Sequence, residues 1–257
     1  MNTMNTEFKS ENSDWMKTIS LIVTLLALVI VMVWLSGCST PSGQNLSTTA
    51  NKATASNNPA TRPPAKNRAP PKSLADAGEY GENVYDMAKA NDWAKASAKL
   101  NLLRESATKL TAETPGRSVA LDSLTSGIGA LDKAVLAKNR PEAMREANQI
   151  TFNVADLSAA YDLAVPSDIT KLDYYGRELE IWSAEKDTNR LQSTAAEMRR
   201  TWDAVRPAVE SHKGTAEAKK FEELVAKVEK AGTPDEYARL ATAVLSEVDN
   251  LEKVFHG

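Results

Sequence analysis

The chain has 257 residues, of which 42% are hydrophobic and 25% are charged, and its formal net charge at pH 7 is −3. It contains one cysteine and two histidines. These counts leave no pair of thiols for a disulfide, no Cys-x-x-Cys-His run for covalent haem, and no histidine set for a His-rich zinc or di-iron centre.

The first feature along the chain is an apolar run from Thr18 to Leu35, which ends at the tetrapeptide Leu35-Ser36-Gly37-Cys38. Two small residues before a cysteine at the end of an apolar run resemble the lipobox of bacterial lipoproteins. The resemblance implies that the Cys38 thiol is diacylated. It also implies that residues 1–37 are a signal peptide, which is removed so that Cys38 becomes the new N-terminus.

Two other interpretations of this segment stay open: an uncleaved transmembrane anchor and a chance buried thiol. The stretch Ile19–Leu35 is longer than the roughly 7–15 residues of a signal-peptide core and shorter than the roughly 20 residues of a spanning helix. Orientation is the same for a cleaved and an uncleaved segment, because Lys9 and Lys17 precede the run and no Lys or Arg follows it before Lys52. This asymmetry predicts a cytoplasmic N-terminus and an exported remainder.

The residue after Cys38 is Ser39 rather than the aspartate that resembles an inner-membrane retention signal in enteric-type sorting. In a cell with two membranes, we therefore expect a lipid anchor in the outer membrane, facing the periplasm. In a cell with one membrane, the expected location is the outer face of the cytoplasmic membrane. The membrane is thus a predicted partner through the lipid on Cys38.

Residues 38–72 are predicted to be the lipidated cysteine and a disordered linker. The stretch from Ser39 to Ser73 holds six prolines and almost no large apolar side chain, so it cannot bury enough surface to offset the entropy of ordering. Its coil dimension is on the order of 30 Å, and its limit is roughly 110 Å as extended polyproline II. The charged residues of the linker are all basic: Lys52, Arg62, Lys66, Arg68 and Lys72. Two roles of the linker stay open, a soluble spacer and a segment attracted to anionic lipid or cell-wall polymer.

The remaining residues, from Leu74 to Gly257, carry 31 of the 34 acidic and 24 of the 31 basic residues, a net charge of −7. Such a surface lacks the basic stripe that neutralises phosphates, so no nucleic-acid partner is expected.

Apolar residues in this region recur at alternating spacings of three and four, the 3.5-residue period of helices in bundles. The stripe of the fourth helix includes Val154, Leu157, Tyr161 and Ala164. Proline and glycine mark the helix ends, and Thr233-Pro234-Asp235-Glu236 predicts a capping box. The predicted fold class is all-α, with eight helices at about 73–91, 92–113, 117–139, 141–164, 167–186, 187–212, 215–231 and 234–256.

The two halves of the helical region repeat each other. Tyr80-Gly81 corresponds to Tyr175-Gly176 at a shift of 95 residues, and a serine starts the first helix of each half, Ser73 and Ser167. We predict a tandem duplication of a four-helix up-down bundle, with one repeat at 73–165 and the other at 166–257. Further pairs, at a shift of 94, are Leu131 with Val225, Ile150 with Val244 and Val154 with Val248.

The repeated Tyr-Gly pairs are the candidate ligand-binding residues. A pocket lined by Tyr80 and Tyr175 is one interpretation. The other is that each tyrosine points to a core and each glycine lets a neighbouring helix come close, which would offset the cost of about 1 kcal/mol that a glycine carries in a helix.

No catalytic residue, cofactor or metal site is predicted, because no phosphate loop, Gly-x-Ser-x-Gly run or serine with a histidine partner occurs. Asp173, Glu178 and Glu180, with Tyr174, could offer oxygens to a hard cation, but their spacing spreads them around the helix. A solvated face with a contact between Arg177 and Asp173 at i, i+4 is the other interpretation.

An exported duplication of four-helix bundles is similar in architecture to the imelysin-type and periplasmic iron-uptake proteins. Those proteins carry a His-x-x-Glu signature, whereas here Thr215 stands three residues after His212, and His256 is followed only by Gly257. The departure removes the proposed metal-binding motif, so the resemblance implies a shape and no activity.

Three functions are therefore weighed. The first is an exported, membrane-anchored lipoprotein whose helical bundles bind or scaffold an envelope protein partner without enzymatic activity. The second is a periplasmic metal- or solute-binding component of an uptake system, with a pocket at the junction of the halves. The third is an enzyme, although the sequence shows no cluster of acid, base and nucleophile.

Overall fold

Eight α-helices make up almost all of the part of the chain that the structure, a computed structural model, describes, which is residues 68–114 and 119–256. These residues contain no strand, and the prediction of an all-α fold with eight helices is confirmed. The predicted signal peptide, Cys38 and most of the predicted linker lie outside the described residues. The helices are α1 (Lys72–Lys89), α2 (Trp93–Glu113), α3 (Val119–Leu136), α4 (Arg140–Ser158), α5 (Ser167–Glu185), α6 (Thr188–Ser211), α7 (Thr215–Lys230) and α8 (Pro234–Val254).

The first four helices form a closed four-helix bundle. Helix α1 packs against α2 and α4, and α3 packs against the same two helices from the opposite side. The heptad residues of each helix face inward, as their spacing predicts, because a 3.5-residue period keeps one seam of a helix toward its neighbours. The largest fully buried side chains of this core are Leu74, Tyr85, Leu100, Leu103, Leu110, Leu124, Leu131 and Ile150.

The last four helices repeat this arrangement. Helix α5 packs against α6 and α8, and α7 packs against α6 and α8. The core of the second bundle is centred on Trp202 and Phe221, which are fully buried and whose ring centroids lie 4.8 Å apart. The Trp202 indole is also the largest buried side chain in the described residues.

The two repeats form two separate cores that meet where α4 packs against α5. Most apolar residues of α5 belong to the second core, but Ile181 is buried in the first. Trp182 is partly buried and packs against both cores. Helix α5 is therefore shared between the bundles.

The two mid-helix glycines of the Tyr-Gly pairs lie at equivalent close contacts. A Cβ atom on Gly81 would lie 2.8 Å from a methyl group of Ile150, and one on Gly176 would lie 2.7 Å from Leu245 and 3.3 Å from Val244. Ile150 and Val244 are themselves a repeat pair. The predicted close approach of a neighbouring helix is thus present in both bundles, and in each it is the fourth helix that comes close to the first.

The helix starts show which local signals the sequence predicted well. The capping box of Thr233 and Glu236 is present, and Asp92 and Asp187, 95 residues apart, cap α2 and α6 by accepting the amide hydrogens of residues three positions on. The prediction that Ser167 starts its helix is confirmed, whereas α1 starts at Lys72, one residue before Ser73. The N-cap residues are Pro71 and Pro166, with no side-chain cap, because proline fixes φ at a value that suits a helix entrance.

The predicted end of α4 is wrong. The helix ends at Ser158, six residues before the predicted limit of 164, although Tyr161 beyond it remains buried. Two hydrogen bonds replace the helix: the amide of Tyr161 donates to the nearby carbonyl of Ser158, and the amide of Asp162 donates to the carbonyl of Arg68, which is distant in the sequence. The chain then approaches Pro166, and a residue that precedes proline is disfavoured in helical conformation.

Candidate functional site

The two bundles are joined by a network of charged side chains between α1, α4 and α5, which we call the junction, and Arg177 on α5 is its centre. The Arg177 side chain is buried, and its Nη2 lies 3.0 Å from Oδ2 of Asp173 and 3.5 Å from Oε2 of Glu82 on α1. Its Nη1 donates to the Thr151 hydroxyl of α4 at 3.4 Å, and its guanidinium carbon lies 5.2 Å from the centroid of the Tyr85 ring. One cation therefore contacts both bundles.

Carboxylates outnumber the cation at this point. Burial is the main cause that raises the pKa of Asp173 from its ordinary value of 3.8 to about 7; Arg177 opposes this shift, and Glu82, Glu252 and Asp249 add to it. Burial likewise raises the pKa of Glu82 and of Glu252, with Arg177 opposing in both cases. The junction therefore holds several carboxyl groups whose pKa is raised because burial disfavours their charged form.

A second group of contacts joins the bundles beside Arg177. The Asn148 amide of α4 donates to the backbone carbonyl of Tyr174 at 3.1 Å and to Oε1 of Glu178 at 3.2 Å. Glu178 also accepts from the Trp182 indole, and burial is the largest cause that raises its pKa. Asn148 is fully buried, so these two bonds satisfy an amide nitrogen that has no access to water, whereas its Oδ1 has no hydrogen-bond partner.

Further ion pairs hold the edges of the junction. Glu180 of α5 accepts from the Tyr85 hydroxyl at 3.1 Å and lies 2.6 Å from the Lys89 ammonium of α1. Lys171 lies 3.0 Å from Asp156 of α4. Each pair connects α5 with a helix of the first bundle. The last such pair is Arg145 with Glu185.

The contact predicted between Arg177 and Asp173 is confirmed, but the prediction that it lies on a solvated face is wrong. Arg177 is only 9% exposed, because this face of α5 is covered by α1 and α4. The sequence offered one signal for this second buried face: Ile181 lies on the side of α5 opposite Leu172 and Tyr175, where a singly buried helix would carry a polar residue.

The hard-cation interpretation of Asp173, Glu178, Glu180 and Tyr174 receives no geometric support. Glu178 and Glu180 bind the Trp182 indole and the Lys89 ammonium, respectively. Within the described ranges, no group of three or more His, Asp or Glu side chains is arranged to hold a metal ion. Each of these carboxylates is therefore occupied by a protein partner.

The candidate residues Tyr80 and Tyr175 lie in different bundles. Tyr80 is partly buried against the first core, and the Lys99 ammonium lies 5.6 Å from its ring centroid. Tyr175 is buried in the second core, in edge contact with Tyr174 at a centroid distance of 5.1 Å. Each tyrosine packs with its own bundle, and a ligand-binding role for the pair stays a prediction.

One small cavity does lie between the halves. It encloses about 190 Å³ between the start of α4 and the end of α5, and an apolar floor of Met144, Ile181 and Ala184 is bordered by Arg140 and Glu180. Pockets for drug-sized ligands are larger, roughly 300–1,000 Å³. The cavity has room for a molecule of only a few heavy atoms.

The junction predicts a specific dependence of stability on pH. A folded-state pKa of about 7 for Asp173, against 3.8 in the unfolded chain, means that its contribution to the free energy of unfolding is greatest at low pH. That contribution is lost as the pH rises from about 4 to about 7, by up to about 4 kcal/mol. Asp173→Asn should flatten this decline and raise the melting temperature at pH 8. The melting temperatures of the wild type and the variant, measured by circular dichroism from pH 5 to 8, test this prediction.

The matched control for this prediction is Asp203→Asn. Asp203 is an exposed carboxylate that also pairs with an arginine, Arg199, so its removal should leave the pH dependence as it is in the wild type. Parallel pH profiles for wild type and Asp173→Asn would contradict the assignment. The raised pKa values of Glu82, Glu178 and Glu252 should leave a smaller decline in the same direction.

The geometry defines the described part of the chain as an all-α protein of two tandem four-helix bundles joined through a charged junction. Comparison with protein-family models, with curated proteins and with solved structures finds no match. No described helix is both long enough and apolar enough to cross a bilayer. Cys38, the predicted lipidation site, lies outside the described residues.

Proposed function

We propose that this chain is an exported lipoprotein, held to a membrane by lipid on Cys38, whose two bundles form a non-enzymatic binding or scaffolding domain. The anchor is in the outer membrane of a cell with two membranes and faces the periplasm, or lies on the outer face of a single membrane. An envelope protein is the partner of the domain.

The single cysteine and its position carry the anchoring part of this proposal. Cys38 follows Ser36 and Gly37 at the end of the only long apolar run of the sequence, and Lys9 and Lys17 precede that run. Positive charge on one side orients such a segment with its N-terminus in the cytoplasm. The following residues are then delivered outside the cytoplasmic membrane.

The arrangement of buried charge supports a binding or scaffolding domain over an enzyme. The buried Arg177 guanidinium contacts Asp173 on its own helix, and it also contacts Glu82 and Thr151 of the first bundle. Groups used in this way hold two bundles at a fixed orientation. A domain of fixed shape on a long linker can search the volume around its anchor for a partner.

Acylation is tested by replacing the proposed lipid attachment site. Cys38→Ala should abolish incorporation of an alkyne fatty acid in cells and leave a precursor that retains residues 1–37. The matched control is Ser36→Ala, which keeps a small residue before the cysteine and should be labelled like the wild type. Equal labelling of wild type and Cys38→Ala would contradict lipidation at this residue.

The cavity between α4 and α5 favours a second candidate function, a solute- or metal-binding component of an uptake system. The cavity lies between the halves, but it is small, and neither Tyr80 nor Tyr175, near which the sequence predicts such a pocket, lines it. The first proposal predicts that micromolar iron, copper or zinc leaves the melting temperature of a fragment from Arg68 onward unchanged. A ligand that binds only the folded state must raise that temperature.

A saturable rise in melting temperature with one metal would promote the second candidate. Loss of that rise in Tyr175→Phe or in Glu178→Gln would then place the site at the centre of the molecule. Glu223→Gln, at an exposed position on α7, is the control that should keep the response.

A further inference from the structure

One side of the second bundle carries a set of exposed cations on α7, α8 and the turn before α7. Although the region from Leu74 onward has a net charge of −7, seven of its positive side chains lie exposed here. In residues 68–114 and 119–256, none of them takes part in an ion pair. We call this set the lysine face, and it consists of Lys213, Lys219, Lys220, Lys227, Lys230, Arg239 and Lys253.

The two sides of α7 differ because its acids and lysines have different neighbours. On the side toward α6, Arg199 lies 2.9 Å from both Glu222 and Glu229, and the Trp202 indole donates to Glu222 at 2.8 Å. These carboxylates are therefore neutralised inside the bundle. The opposite side presents Lys220 and Lys227, which are seven residues, or two helical turns, apart.

The few acids near the lysine face only partly balance it. Glu236 accepts the amide hydrogens of Gly232 and Thr233 at 2.9 and 3.0 Å, so it serves the start of α8. Glu217, Glu223 and the exposed Asp235 at the start of α8 remain beside the lysines, so that, with Glu236, seven cations face four carboxylates. The face therefore keeps a positive charge on an otherwise acidic domain.

Two shallow grooves lie at opposite ends of the α7–α8 pair, and cations line both. One has a volume of about 560 Å³ and is bordered by Lys213, Lys220 and Lys253. The other has a volume of about 330 Å³ and is bordered by Lys227, Lys230 and Arg239. The positive side chains are thus spread along the length of the helix pair.

We propose that the lysine face docks the domain onto the anionic lipid surface of the membrane that anchors the chain. Exposed lysines are flexible, strongly hydrated point charges, which suits phosphate headgroups that move in the plane of a bilayer. Clusters of such cations near an anionic leaflet bind it additively. The linker, whose charged residues are all basic, keeps the face close to that surface.

This inference rests on the proposed membrane attachment, so its test uses a chain that stays in the bilayer whether or not it is lipidated. In full-length Cys38→Ala, the predicted apolar segment Ile19–Leu35 remains as an anchor. Ala216→Cys then adds one thiol on the exposed side of α7. A fluorophore on this thiol reports proximity to lipids that carry a quencher on their headgroups.

The chain is reconstituted in phosphatidylcholine vesicles, with or without about a third of phosphatidylglycerol. Quenching at position 216 should be severalfold greater with the anionic lipid, and high salt should abolish the difference. The double variant Lys220→Gln, Lys227→Gln should remove most of this difference in quenching between the vesicles, whereas Lys133→Gln on α3 should leave it unchanged. A label at Ser123→Cys, on the exposed side of α3, should be quenched equally little in both vesicles.

Equal quenching at positions 216 and 123, or equal quenching in the two kinds of vesicle, would overturn the proposal. In that case the face serves an acidic protein or no partner. Failure of the fatty-acid labelling described above would leave this result unaffected, because the test does not use Cys38.

Discussion

Arg177→Met should lower the free energy of unfolding by about 3–5 kcal/mol at pH 8, since it leaves buried carboxylates without their cation. Asp173 and Glu82 lie 3.0 and 3.5 Å from the guanidinium that is lost. The loss should be smaller at pH 5, because a carboxyl group with a raised pKa then takes up a proton and its charge is removed. Urea unfolding at both pH values measures this difference.

The control for this prediction is Arg200→Met. Arg200 is exposed and pairs only with Glu197, three residues away on the same helix, so its loss should cost no more than about 1 kcal/mol at either pH. Equal losses for the two variants, or a loss for Arg177→Met that does not depend on pH, would show that the junction does not stabilise the molecule through charge.

Trp202→Ala should destabilise the second bundle by about 3–5 kcal/mol, because it empties the largest buried volume of that core. The indole is fully buried, packs on Phe221, and donates a hydrogen bond to Glu222. The substitution therefore creates a cavity and also removes a hydrogen bond. Urea unfolding followed by far-ultraviolet circular dichroism gives the change in free energy.

Trp93→Ala is the matched control for this second prediction. Trp93 is only partly buried at the start of α2, so its truncation should cost clearly less. Since α5 contributes to both cores, we also expect each variant to shift one cooperative transition. Two separate transitions in the Trp202→Ala variant, with the first bundle unchanged, would show that the junction does not couple the bundles.

The helices could be predicted from the sequence because each one buries a heptad seam, and such a seam is visible as a local period. The duplication was visible for the same reason, since corresponding residues occupy corresponding core positions. Gly81 and Gly176 show how far this argument extends. A glycine in both copies predicted a close helix contact, and the structure identifies the residues that make it, Ile150 and Leu245.

The junction could not be predicted in this way, because it depends on which helices of different bundles meet. Arg177 and Asp173 lie four residues apart on one helix, and that spacing alone is typical of an exposed ion pair. Their burial results from α1 and α4, which contribute Glu82 and Thr151. Only Ile181, an apolar residue on the polar side of α5, indicated a second buried face.

The end of α4 shows a similar limit at the level of local structure. Tyr161 continues the apolar period of the helix and is buried, yet it lies outside the helix. The hydrogen bond from Asp162 to Arg68 holds the chain in another conformation there. The spacing of apolar residues indicates which residues are buried, whereas the position of a helix end also depends on distant hydrogen-bond partners.

The mass of the mature protein, purified from the membranes of its own cells, tests the central claim most directly. The account predicts that residues 1–37 are absent and that the N-terminal residue is Cys38 carrying a diacylglycerol group. A mature chain that still contains residues 1–37, with an unmodified thiol at Cys38, would contradict it.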